Sequence, residues 1–178
     1  MLLEADAPIA FPRDVVFAAY RDRLPELLPY LPNVKAITVQ SREDAVGGNP
    51  ARTDLVNLWQ GKADIPKVLQ SIVKPESVAW IDRAQWDGEA WTCHWAIEPK
   101  VFTDNVTCKG TNFYRADGDR TVLEIRGELT VDPKGIPGVP RFLAGTVGPQ
   151  VEKFVVGLIK PNLISTAKGL EQFLRDQG

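Results

Sequence analysis

The residues able to do chemistry in this 178-residue chain are few. One histidine, His94, sits in the run Thr92-Cys93-His94-Trp95-Ala96, and two cysteines, Cys93 and Cys108, lie too far apart for a zinc or redox motif. A histidine working as general acid or base needs a partner within hydrogen-bond reach. Glu98 shares its side of an alternating segment but stands four residues further along, so the expectation for His94 is a surface or structural role. No Ser-His-Asp arrangement can be built on it, and the Gly-Pro-rich stretch 133–140 is not followed by the Lys-Ser/Thr pair of a phosphate loop. Neither a metal site nor a cofactor is expected. Asp82, Asn112 and Tyr114 are more informative, because alternation places each among apolar residues. A buried polar group must find a partner or destabilise the fold by roughly a few kcal/mol. These three therefore bond to one another, to backbone or to water, or they orient the polar end of a ligand. Catalytic use, as donors to a carbonyl or as proton shuttles, ranks third.

The elements that would position them follow from local pattern. Residues 2–10 read as a strand, and Phe11-Pro12 opens a helix with Val16, Phe17 and Tyr20 as its apolar stripe. A short helical piece from Leu24 to Leu31 is bounded by Pro25, Pro29 and Pro32. Strands are expected at 34–42 and 53–60 about a turn at Gly47-Gly48-Asn49, and again at 77–86, 90–98, 105–116 and 120–131. Asp87-Gly88 and Asp117-Gly118 signal hairpins. Between the strands, Ile65, Val68, Leu69, Ile72 and Val73 have helical spacing, which predicts an amphipathic helix over 64–74 started by Asp64 and Pro66. Lys62, Lys67 and Lys74 surround its stripe, so it would cap or gate one end of the sheet, with transient membrane contact as the weaker alternative. Residues 141–176 read as a long helix with Val151, Phe154, Val155, Leu158, Asn162 and Thr166 on one side, which Pro149 and Pro161 should start, kink or interrupt.

Strand parity then separates two faces. Trp80 and Trp86 share one face, and a tight turn at Asp87-Gly88 adds Trp91, Cys93, Trp95 and Ile97 to it. In the last hairpin Cys108, Gly110, Asn112 and Tyr114 pair with Leu123, Ile125, Gly127 and Leu129 on that face. Lys109, Arg115, Glu124, Arg126 and Glu128 fall on the other, giving a one-sided sheet with water outside. The final helix is the long apolar element left to cover the inner face. Small residues among the rings (Ala84, Cys93, Gly110, Gly127) would leave a gap beneath it.

Hydrophobic residues make up 44% and charged residues 25% of the chain, the balance of a soluble globular domain, and residues 1–178 are expected to form one. A net charge of −2 argues against nucleic acid as a partner. The acidic opening Met1-Leu2-Leu3-Glu4-Ala5-Asp6 does not read as a secretory signal, and no run suits a membrane span. A cytoplasmic location with both thiols reduced is the expectation.

The opening APIAFPRDVVFAAYRDRLPELLPYLPNVKAITVQSRE resembles the start of the START-like (SRPBCC) superfamily, whose helix-grip fold includes Bet v 1-like proteins and bacterial polyketide cyclases. A P-x-x-V-F helix start and a P-x-V approach to the second strand, here Pro32-Asn33-Val34, carry the likeness. The resemblance implies an α+β fold in which a curved seven-stranded antiparallel sheet, with two short helices after its first strand, wraps a long C-terminal helix. It also implies a small hydrophobic ligand, lipid-like or aromatic, in the space between them. Trp80, Asp82, Trp91, Cys93, Trp95, Asn112, Tyr114, Ile125, Phe154 and Leu158 are the candidate lining. The alternative is a polyketide cyclase or dehydratase using the same space. Oligomeric state is left open.

Overall fold

The computed structural model describes residues 1–45, 52–132, 136, 139 and 144–177. Seven strands, β1 (Leu2–Ile9), β2 (Val34–Asp44), β3 (Arg52–Gly61), β4 (Ala79–Asp87), β5 (Thr92–Pro99), β6 (Val106–Asp117) and β7 (Arg120–Val131), form one antiparallel sheet in the order β1-β7-β6-β5-β4-β3-β2. Each strand lies beside its neighbour in the chain except β1, which crosses to β7 with Leu3 opposite Gly127 and Ile9 opposite Thr121. The sheet is not closed, so β1 and β2 are its edges. The anticipated Gly47-Gly48-Asn49 turn between β2 and β3 lies outside the described residues.

Helix α1 (Arg13–Asp22) begins directly after Pro12, whose extended ψ of 149° and absent N–H suit the position before a first turn. It buries Val16, Phe17 and Ala19. Leu24–Tyr30 is a 3-10 stretch with two prolines, burying Leu24 and Leu27, which that helix's period of three brings onto one side. Helix α2 (Ala144–Gln177) is continuous through Pro149 and Pro161, so the expected interruption does not occur. Pro161 still removes the N–H that the Gly157 carbonyl would accept. Next to it, Asn162 donates its side-chain amide to the Leu158 carbonyl at 2.6 Å, and the Thr166 hydroxyl donates to the Asn162 carbonyl at 2.7 Å.

The amphipathic helix expected over 64–74 is absent. That segment contains one 3-10 turn at Lys67–Leu69, and a second turn, Pro75–Ser77, follows it. Pro66 is extended (φ −53°, ψ 140°), and no side chain caps the turn, so Asp64 does not start a helix. The apolar spacing reflects two plugs: Leu69 and Val73 are fully buried while Val68 is exposed.

The hairpins differ. Asp117 pairs with Arg120 across two residues, with Gly118 in the left-handed region at φ +61°. Asp87 pairs with Thr92 across four, because the Asp87 carboxylate accepts the backbone N–H groups of Glu89 (3.0 Å) and Ala90 (2.9 Å) and widens the turn. Trp91 therefore precedes β5 rather than joining it, at φ +55°.

The inner face carries Leu55, Trp59, Trp80, Ala84, Trp86, Cys93, Trp95, Cys108, Tyr114, Leu123 and Ile125, all buried. Across β6 and β7, Gly110 pairs with Gly127, and the Trp95 indole lies on both. A Cβ on Gly127 would stand 2.7 Å from that ring and 2.8 Å from the Lys109 carbonyl, and one on Gly110 would collide with the ring and with the Arg126 carbonyl. The glycines thus leave no gap, because the indole fills it.

A polar cluster beneath the long helix

Sheet register brings Asn57 opposite Asp82, and Trp59 opposite Trp80, on neighbouring strands. The two indoles stack at 5.7 Å with planes 17° apart. Over them α2 lays Leu158, Ile159, Asn162 and Thr166, enclosing a cavity of about 50 Å³ that Cys93, Trp95 and Asn112 also line. That is room for one or two waters, whereas small-molecule pockets run to roughly 300–1,000 Å³. On the other side of α2 a cleft of about 770 Å³ runs between the helix and the ends of β2 and β3. Leu158 and Asn162 line both spaces and separate them.

The polar groups here are incompletely matched. Asp82 accepts the Asn57 side-chain amide at 3.2 Å. Burial raises its pKa to about 6, opposed by Asn57 and by the nearby Trp59 indole. Asn57 Oδ1, Trp59 Nε1 and Asn162 Oδ1 are buried without a hydrogen-bond partner. Asn112, by contrast, is occupied, accepting the Trp95 indole N–H at 2.9 Å. Burial pushes the Cys93 thiol up, with the Asp82 charge adding to it, and pushes Cys108 up to about 12. Both thiols are free.

Of the candidate lining residues, Trp80, Asp82, Cys93, Trp95, Asn112 and Leu158 meet at this cavity. The other four do not. Trp91 packs edge-to-face on Phe17 at 5.2 Å beneath the Arg13 guanidinium, because the wide turn directs it toward α1. Tyr114 is held at 5.0 Å from Phe17 and tilted against Trp86. Ile125 borders a separate crevice near β1, and Phe154 faces the outer cleft. Sequence reasoning missed Asn57, Trp59 and the unmet oxygen of Asn162. The alternation Thr53, Leu55, Asn57, Trp59, Gly61 was the available signal on β3. His94 lies outside, with Nδ1 2.8 Å from the Thr111 hydroxyl.

No family model and no curated protein matches the chain. Solved structures do match. The ZhuI aromatase/cyclase from Streptomyces sp. R1128 superposes with a TM-score of 0.68 at 13% identity, covering 100% of this chain and 96% of that one. The Thermus thermophilus protein TTHA0849 gives 0.67 at 23% identity, covering 100% and 99%. Norcoclaurine synthase from Thalictrum flavum gives 0.60 at 14%, covering 98% and 86%. The chain shares the helix-grip fold of these structures, the architecture its opening segment suggested. Among the described residues no helix is long and apolar enough to cross a membrane.

Proposed function

We propose that the chain, acting as one domain, binds a small hydrophobic molecule, lipid-like or aromatic, between the sheet and α2. The observation that carries this reading is the set of buried, unpartnered polar atoms in an aromatic-walled cavity. A fold that gained nothing from them would pair them or replace them with apolar groups. Trp80, Asp82, Cys93, Trp95 and Leu158, joined by Asn57, Trp59 and Asn162, form the binding set. A ligand larger than the present cavity enters where Leu158 and Asn162 divide it from the outer cleft, and α2 shifts to admit it. A polyketide cyclase-type reaction is the second reading, favoured by the Asp82 carboxyl, whose pKa burial raises to about 6 inside the site.

Native mass spectrometry of the protein purified from its own host tests the reading, together with titration of an apolar fluorescent probe against tryptophan emission. A co-purifying small molecule, or one-to-one probe binding that perturbs the indoles, is expected. A ligand-free protein that takes up no acyl, sterol or aromatic probe overturns it. Turnover of a polyketide-like substrate that is lost in Asp82→Asn moves the protein to the second reading.

A further inference from the structure

Resting on that binding reading, we infer that the cluster beneath α2 is the seat for a protonated amine carried by an otherwise apolar ligand. The balance of donors and acceptors decides it. Asn57 donates one amide hydrogen to Asp82, and its Oδ1 has no partner. Asn162 has committed its amide to the Leu158 carbonyl, so it too presents Oδ1 alone. The Asp82 carboxylate, with one oxygen on Asn57, has acceptor capacity to spare. Two indole donors of the lining residues, Trp59 Nε1 and Trp86 Nε1, also lack partners, and Trp59 Nε1 lies near the Asp82 charge.

The unmet acceptors are two amide oxygens and a carboxylate around a small space, and both indole donors are neutral. Among the described residues no lysine, arginine or histidine lines that space. The other titratable groups facing Asp82 are Tyr20 from α1, Cys93 from β5 and Tyr114 from β6, and burial keeps all three in their neutral forms. The site therefore holds a negative charge without a countercharge, a costly arrangement unless something supplies one.

An ammonium group answers each feature. Its three N–H donors match the three acceptors, its charge balances Asp82, and the stacked Trp59 and Trp80 rings offer π faces to a cation. A hydroxyl has one donor and leaves acceptors unmet. A carboxylate or phosphate would face like charge and lone pairs. Polarity of binding follows as well. The outer cleft carries Lys35, Lys62 and Lys153 against the carboxylate of Asp64, so a cationic end is favoured inward and the apolar remainder extends past Leu158.

The test is calorimetric titration at pH 7.5 with hexylamine, hexanol and hexanoate, beside an apolar fluorescent dye. Hexylamine is expected to bind at least roughly ten-fold more tightly than hexanol, as a charge-assisted hydrogen bond with a desolvated partner allows, and hexanoate weakest of all. Asp82→Asn should weaken hexylamine far more than hexanol, bringing the two to similar affinity. Asn162→Leu, which keeps the carboxylate, should weaken hexylamine more than hexanol and guards against misfolding of the first variant. Equal affinity for amine and alcohol, or preference for hexanoate, with the dye still bound overturns the amine assignment and leaves the hydrophobic-binding reading standing. Failure of every probe, dye included, overturns both.

Discussion

On the outer face of the sheet Arg83 meets Glu98 at 2.7 Å and Lys109 meets Glu128 at 3.3 Å, while on the inner face Asp82 has an Asn57 amide at 3.2 Å and, among the described residues, no cation. Outside, charges are plentiful, matched across strands and bathed in water. Inside they are scarce, poorly matched and desolvated. The number of polar contacts is therefore a poor guide to their weight, since an exposed ion pair contributes about 0–1 kcal/mol whereas an unmet buried group costs several times that. The outer face keeps the sheet wet on one side, and the inner face holds the polar atoms without partners.

The largest effect is expected where the inner face has no tolerance. Gly110→Ala places a methyl into the Trp95 ring and the Arg126 carbonyl, and should cost more than the roughly 1–3 kcal/mol usual for overpacking, abolishing cooperative thermal unfolding. The same geometry makes Gly127→Leu a folding defect rather than a way to fill a pocket. A mild loss in Gly110→Ala would mean that the indole is free to move.

Leu158→Ala comes next. Leu158 is buried but borders two spaces, so the loss should fall at the low end of the roughly 2–5 kcal/mol range for core leucines, measured by denaturant titration. Uptake of an apolar probe should become faster in the same variant. A loss at the top of that range would show a packed wall with no opening.

Asp82 supplies a prediction of opposite sign. Its folded pKa is raised, so the folded state binds the proton more tightly than the unfolded one. Its contribution to stability is present below the unfolded value near 4 and is lost as pH rises to about 6, then stays flat. Tyr20, Cys93 and Tyr114 face it and stay neutral across that window. Asp82→Asn should remove this slope and raise stability at pH 7.5 by up to about 3 kcal/mol, the equivalent of roughly two pKa units. An unchanged pH profile would show that the carboxylate is well solvated or paired, and would erase the contrast between the faces.

The smallest effect belongs outside. Arg83→Ala should change stability by less than about 1 kcal/mol, and salt should screen what remains. A change above about 2 kcal/mol would mean that the outer network is worth more than its exposure implies.

The strands and the inner face of their paired residues from Trp80 to Leu129 were legible because period-two alternation let register be counted, but the turn after Asp87 was read as tight and Trp91 was therefore misplaced. Asn57 and Trp59 were not legible, since β3 and β4 are joined by residues 62–78, too long a connection to carry parity across. Asn162 was visible on the inner side of α2, but its unmet oxygen depends on its amide turning back to Leu158, which no spacing encodes. The misread helix at 64–74 shows how two docked residues, Leu69 and Val73, can imitate a face.

The Trp95 indole, lying across Gly110 and Gly127 while donating its N–H to Asn112, also bears on how such a sequence drifts. Neither glycine can acquire a side chain while the indole stays, and losing the indole strands the Asn112 oxygen in the interior. Single-step change at any of the four positions passes through a poorly folded intermediate. Descendants of this chain should keep Trp95, Gly110, Asn112 and Gly127 together or replace them together.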